Sequence, residues 1–439
     1  VRAVIVLVSG TALAHVLSAL ALPILSRLYS PADFGLLAVF AGTLSIVAAA
    51  ACLRYDLAVP LPESDDDAMH LLALSLGCAC CVAGLLAVAV ALAGDRMADL
   101  LGQPDLAPCL WLLPVGVLAA GSYAALQAWH IRRSQFGKLA RTRVAQSASS
   151  VTVQMALGAL SAGPVGLLLG YVMNAGVACL ALGGDLLRAM PRLTLDRALV
   201  LAGEYRRFPK YSTLEAVANS AAIQLPIILI AGIAAPAEAG YLSMAMYAMQ
   251  VPIALVGTAI GQVYLSRAAD EHRAGRLGPF TADMLRGLMR VGIGPLIAAG
   301  ILAPALFGVI LGARWERAGL LVSWMVPWFA LQFLASPTSM ALHVTGHQQR
   351  AFLLQLCALL LRVGVVLLAA QVIPARVAEA YAVSGAVVYL LYLIAVMASA
   401  GVSARGLLQG SQRSGLVTAA WAVAALTGLL CLQHLRGLA

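Results

Sequence analysis

Apolar residues fill this chain in blocks of about 20 positions, separated by short polar or turn-rich breaks. A helix needs about 20 such residues to cross the hydrocarbon of a bilayer. The blocks predict thirteen spans, at 3–25, 36–53, 69–93, 106–130, 144–161, 164–183, 212–234, 239–265, 288–311, 318–342, 351–371, 378–400 and 415–433. The fifth is short and carries Gln146, Gln154 and several serines. The break at 184–211 is basic and punctuated by proline, and it reads as a cytoplasmic, partly amphipathic helix.

The pattern repeats. "SPADFG" at 30–35 and "APAEAG" at 235–240 share Pro-Ala, an acid, one apolar residue and Gly. "WLLP" at 111–114 answers "WMVP" at 324–327, His130 answers His343, Gln135 answers Gln348, and "LG" at 101–102 answers "LG" at 311–312. The common order indicates a duplication that pairs span 1 with span 7 and span 4 with span 10. Span 1 is therefore read as part of the fold and not as a signal peptide. Six spans per copy is an even number, so both copies point the same way through the membrane, related by an axis along its normal. The expected fold is an all-α polytopic membrane protein. It has an N-lobe of six helices at 1–183, a basic linker at 184–211, a C-lobe of six at 212–400, and an extension at 401–439 with one extra hydrophobic helix. The two short phrases are expected to be outer hairpin loops, with Asp33 and Glu238 capping the helices that follow. Pro23, Pro114, Pro226, Pro252, Pro295 and Pro327 fall inside spans, where a kink shapes a helix or lets a lobe bend.

Composition agrees. The chain of 439 residues is 62% hydrophobic and 11% charged, against about 25% charged in soluble domains. With the N-terminus inside, 21 of the 28 Lys and Arg residues fall in inside segments and 6 outside, which sets the orientation. The net charge of +9 then reflects anchoring on anionic lipid, with no need for nucleic acid. Cys78, Cys80 and Cys81 include a C-x-x-C spacing, but no His or second pair lies nearby. Buried apolar thiols, with no metal site, are expected. The chain shows no nucleotide loop, no G-x-S-x-G elbow and no long outer loop able to carry a catalytic domain, so a transporter is expected in place of an enzyme.

"LSRLYSPADFGLLAVF" at 25–40, "LRYDLAVPLPESDDDA" at 53–68, "EYRRFPKYS" at 204–212, "GQVYLSRAAD" at 261–270 and "LGARWERAG" at 311–319 resemble bacterial polysaccharide biosynthesis proteins of the oligosaccharide-lipid flippase (Wzx) type. That family belongs to a superfamily with multidrug and toxin extruders and lipid II flippases. The resemblance implies two six-helix lobes around a central cleft in the inner membrane. It implies a polyprenyl-diphosphate-linked oligosaccharide as cargo, moved from the cytoplasmic to the periplasmic leaflet for surface polysaccharide assembly. Polysaccharide polymerase and chain-length regulator proteins are the expected partners. No cofactor is expected, and coupling to H⁺ or Na⁺ is left open. The alternatives are an ion-coupled multidrug exporter, a membrane glycan polymerase or ligase, and a non-transporting scaffold.

Transport needs polar groups at membrane depth, and these are costly there. Arg362 sits in mid-span in "LLQLCALLLRVGVVLLAAQ", at an insertion cost of about 2.5–3.5 kcal/mol. It is expected either to bind a diphosphate through paired N–H donors or to form an internal ion pair with a residue such as Glu215. Glu215, Asn219 and Gln224 lie along span 7, the first two as i, i+4 neighbours. They would bond sugar hydroxyls, relay an ion, or hold helices together. Arg54 and Asp56 close span 2, to meet an incoming phosphate or to form a surface pair. Gln262 is a further intramembrane amide, alongside His15, Asn174 and Gln250. The acidic run "ESDDD" at 63–67 reads as a solvated loop and helix cap.

Overall fold

The computed structural model describes residues 2–184, 194–345, 347–403, 407 and 412–437. Among them the secondary structure is helical, with no strand. Each of the thirteen apolar blocks contains a helix, and among the described residues ten helical stretches are long and apolar enough to cross a membrane. The chain is thus a multi-pass all-α membrane protein.

Residues 1–240 form one compact unit and residues 241–439 a second. The first holds α1 (Arg2–Leu28), α2 (Pro31–Ala51), α3 (Asp65–Leu100), α4 (Leu112–Arg132), α5 (Phe136–Ala159), α6 (Pro164–Gly183), the short α7 (Leu195–Glu204) and α8 (Thr213–Ile233). α9 (Pro236–Arg273) starts in the first unit and continues into the second. The second unit goes on through α10 (Leu277–Leu288), α11 (Gly294–Ile310), α12 (Glu316–Thr338), α13 (Met340–Val344), α14 (Gln348–Val372), α15 (Val377–Ala400) and α16 (Gln412–Gly437).

The duplicated phrases are not loops. Pro31 and Pro236 are the first residues of α2 and α9, so only two residues separate each helix from the one before it. Proline suits that position because the first helical N–H has no partner to lose. The expected cap is present at the first copy. Asp33 accepts from the Ser30 amide at 2.8 Å, while the Ser30 hydroxyl accepts from the Asp33 amide at 3.2 Å. Glu238 lies in the first turn of α9. The second echo also has a backbone counterpart. Gly102 and Gly312 both adopt positive φ, +66° and +106°, and each is followed by a short 3₁₀ turn that leads into a helix. Pro23, Pro226 and Pro327 lie within helices as expected. Pro295 lies inside the continuous helical stretch Leu277–Ile310, just after its π turn Met289–Ile293, whereas Pro114 falls in the first turn of α4, where the missing N–H costs no helical bond.

Three predicted spans fall outside the ten. α5 is too polar, and its polar groups tie it to its neighbours. Ser147 donates to the Ala14 carbonyl at 2.8 Å and meets Ser18 at 2.7 Å. Gln154 donates to the Leu167 carbonyl at 3.3 Å, and Gln146 donates to Asn174 at 3.2 Å. These are interhelical bonds of the kind that hold helices together in lipid. In α9 and α16 part of the side chains lie outside the described residues; the described apolar stretch of α16 is Gly415–Cys431. α16 packs on α11, with Trp421 against Gly294.

The cysteines differ from expectation. Cys52 and Cys109 are buried, Cys78 is half-buried, and Cys80 and Cys81 are exposed. Cys78, Cys80 and Cys81 lie on α3, whose Leu85, Val88 and Leu92 are also exposed. An outward apolar face is what a helix bordering lipid presents. No group of three or more metal-ligating side chains gathers among the described residues.

Candidate functional site

The second unit assembles an aromatic cage around Arg362. The arginine lies near the middle of the span Leu353–Val372 on α14, and only 7% of its surface is exposed. Its guanidinium carbon lies 4.8 Å from the ring centre of Trp328 on α12, and 5.9 Å and 5.8 Å from those of Tyr381 and Tyr389 on α15. Trp328 stacks on Phe329 at 5.1 Å and meets the edge of Tyr381 at 5.3 Å. Gly385 permits this packing, because a methyl group there would overlap the Trp328 ring. The stripe on α15 is sequential: Tyr381, Gly385, Tyr389 and Tyr392 recur at spacings of four, four and three, one helical face.

The cage decides the electrostatics. Among the described residues Arg362 has no carboxylate in ion-pair contact; Glu379 on α15 pairs with Arg317 at 2.6 Å. Three cation–π contacts at about 0.5–2 kcal/mol each match the insertion cost of about 2.5–3.5 kcal/mol for a mid-span arginine. The rings therefore hold the cation in the span without neutralising it. Hydrogen bonding is incomplete. Tyr389 bonds both Ser336 and Arg362. The Arg362 Nε, the Trp328 Nε1 and the Tyr381 hydroxyl oxygen are all buried and have no partner among the described residues.

The other candidates of the sequence, Gln262 excepted, belong to the first unit. Glu215 and Asn219 are exposed on one face of α8, and Gln224 is half-buried where α8 meets α2 near Gly42. Arg54 stands in the left-handed region, at φ 60°, directly after Leu53 at φ 47°. Its Nε is buried without a partner among the described residues. Asp56 follows in a 3₁₀ turn and is buried. Burial pushes its carboxyl above the ordinary carboxylate range, against the opposing pull of the Arg54 charge and of the Asp56 and Leu57 amides. The side chain of Gln262 lies outside the described residues.

The acidic run is more than a solvated cap. Ser64 caps α3 as expected. Asp65 meets Arg132 at 3.0 Å and Arg133 at 3.1 Å, and Asp67 takes two bonds from Arg197 of α7 at 2.7 and 2.8 Å. Buried His70 accepts from the Thr194 amide at 3.2 Å through Nε2 and donates to the Asp66 carbonyl at 2.8 Å. These contacts fasten α7 to α3.

The sequence pattern singled out Arg362 but not Trp328, Tyr381 or Tyr389, which surround it. The signal for the two tyrosines was the aromatic face of α15. Nothing in the local pattern assigned Trp328 to the same place.

Residues 24–319 match the family model described as "Polysaccharide biosynthesis protein". No curated protein matches the chain. Among solved structures, the chain is similar to the lipid II flippase MurJ in an inward closed conformation, with a TM-score of 0.78 at 11% identity over 99% of this chain and 98% of that one. It is also similar to an inward-facing multidrug resistance MATE family transporter of the MOP superfamily, with a TM-score of 0.58 at 14% identity over 92% and 95%. A MOP superfamily transporter from Pyrococcus furiosus gives a TM-score of 0.55 at 14% identity over 95% and 96%. At such identities the likeness establishes the fold, which is that of these transporters.

Proposed function

We propose, because this chain belongs to the polysaccharide biosynthesis protein family, that it is a flippase for a polyprenyl-diphosphate-linked oligosaccharide. The cargo passes from the cytoplasmic to the periplasmic leaflet of the bacterial inner membrane by alternating access. The observation that carries this reading is Arg362, a buried cation at mid-span that no carboxylate of the described residues neutralises.

The physics favours such a cargo. A glycan head cannot cross hydrocarbon unaided, since each unmet polar group costs several kcal/mol. The polyprenyl tail needs no shelter. The diphosphate is the costliest part of the head to desolvate, and a guanidinium fork answers two of its oxygens at once. A cationic drug would find the opposite of what it needs at this cage. The Lys and Arg bias supports a cytoplasmic N-terminus. Negative charge moving outward is favoured by an inside-negative potential, by about 2.3 kcal/mol per charge per 100 mV. Coupling to H⁺ or Na⁺ would add to that drive, and polymerase and chain-length regulator proteins would take up the product.

The test is reconstitution into liposomes with a fluorescent polyprenyl-diphosphate oligosaccharide, reading protein-dependent exposure to an impermeant quencher with and without ion gradients. Exposure above that of protein-free liposomes is expected. Its absence, with uptake of a cationic dye in its place, would contradict the reading and favour a multidrug exporter.

A further inference from the structure

Three hydrogen-bond donors are stranded together around Arg362. The Arg362 Nε, the Trp328 Nε1 and the Tyr381 hydroxyl are each buried without a partner among the described residues. They come from α14, α12 and α15. Their side chains are in contact, since the guanidinium carbon lies 4.8 Å from one ring centre and 5.9 Å from the other, and the two rings are 5.3 Å apart. An unpaired buried donor is expensive, and few are left in a folded protein. Three in one place, one of them on a cation, point to a missing acceptor.

The chemistry of that acceptor follows from the set. Arg and Trp only donate, and the tyrosine hydroxyl can donate. No carboxylate is in ion-pair contact with Arg362 among the described residues: Glu379 bonds Arg317 through Oε1, and its buried Oε2 has no partner among them. Tyr389 is already engaged with Ser336 and Arg362. A ligand that satisfies the three must therefore accept several bonds and carry negative charge. A phosphoryl group does both.

We infer that Trp328 and Tyr381 are phosphate-oxygen donors that act with Arg362 on the diphosphate of the cargo. This rests on the proposed flippase reading and adds two binding residues to it. The rings then have two tasks. Their faces keep the guanidinium charged in an apolar span, and their N–H and O–H edges share the load of the anion. Gly385 is a positioning residue, since its missing side chain lets the Trp328 ring lie against α15.

The test uses the full chain in phosphatidylcholine nanodiscs, with farnesyl diphosphate as the probe and farnesol as the control, read by calorimetric titration. Tyr381→Phe keeps the ring and removes only the donor; Trp328→Phe keeps an aromatic face and removes the N–H together with part of the ring. Each is expected to weaken farnesyl diphosphate binding by about tenfold or more, the loss typical of a hydrogen bond to a charged group, and to leave farnesol unaffected. Wild-type affinity in both variants, with binding lost in Arg362→Gln, would overturn the donor assignment and leave the arginine reading standing. Wild-type affinity in Arg362→Gln as well would remove the reading on which the inference rests. Equal losses for farnesyl diphosphate and farnesol would also overturn it, because they would mark a damaged cage and not a lost phosphate contact.

Discussion

Gly240 packs directly on the carbonyl oxygen of Pro31: a methyl group at Gly240 would overlap that oxygen and reach within 2.9 Å of the Gly35 amide nitrogen. The two copies of the duplicated phrase therefore touch within the first unit. Backbone meets backbone there, so no side chain can swing aside. Gly240→Ala is expected to cost about 1–3 kcal/mol, the usual range for overpacking. Thermal unfolding in detergent measures it. Gly137→Ala, at a position with nothing within 4 Å of the added carbon, is the control and should leave the melting temperature level or slightly raised. Equal melting temperatures for the two variants would contradict the contact.

Asp56 sets a pH dependence. Burial raises its carboxyl pKa, so the folded chain holds this proton to higher pH than the unfolded chain does. Stability then falls as pH rises from the ordinary carboxylate value, about 3.9, through the folded value, and is level above it. Asp56→Asn removes this component. The difference in melting temperature between Asp56→Asn and wild type should grow in the variant's favour from pH 4 upward and then flatten. A difference that shrinks over the same range would show that the carboxylate is stabilised in place.

Gly385→Ala is a remote test of the cage. The added methyl meets the Trp328 ring, so the indole must move. Farnesyl diphosphate binding should weaken several-fold, at a stability cost of about 1–3 kcal/mol. Combined with Trp328→Leu, the alanine should recover part of the lost stability, because the smaller side chain makes room. Unchanged binding in Gly385→Ala would show that the indole position is irrelevant to the anion.

The helices were legible because about 20 apolar residues leave a bilayer-spanning chain no other backbone solution. Thirteen blocks contain thirteen helices for that reason. One echo of the repeated pattern has a backbone counterpart: Gly102 and Gly312, in the two "LG" pairs at 101–102 and 311–312, share a positive φ. What failed were the readings that need a neighbour. "PADFG" looked like a hairpin, because Pro and Gly mark turns as readily as they mark a first helical turn. Cys80 and Cys81 looked buried because lipid-facing and core-facing apolar positions have the same composition in a membrane helix. Arg362 stood out by its cost alone. Its partners did not, since Trp328 precedes it by more than thirty residues on another helix and meets it only through packing.

The most direct measurement of the central claim is lipid-linked oligosaccharide flipping by Arg362→Met in proteoliposomes, beside its melting temperature. Arg362→Met removes the mid-span insertion cost of the charge along with the ring contacts that offset it, and keeps an apolar side chain of similar length. The account predicts a melting temperature equal to or above wild type and a flipping rate reduced at least about tenfold, a loss of about 1.4 kcal/mol or more in transition-state stabilisation. Flipping at the wild-type rate in this variant would contradict it.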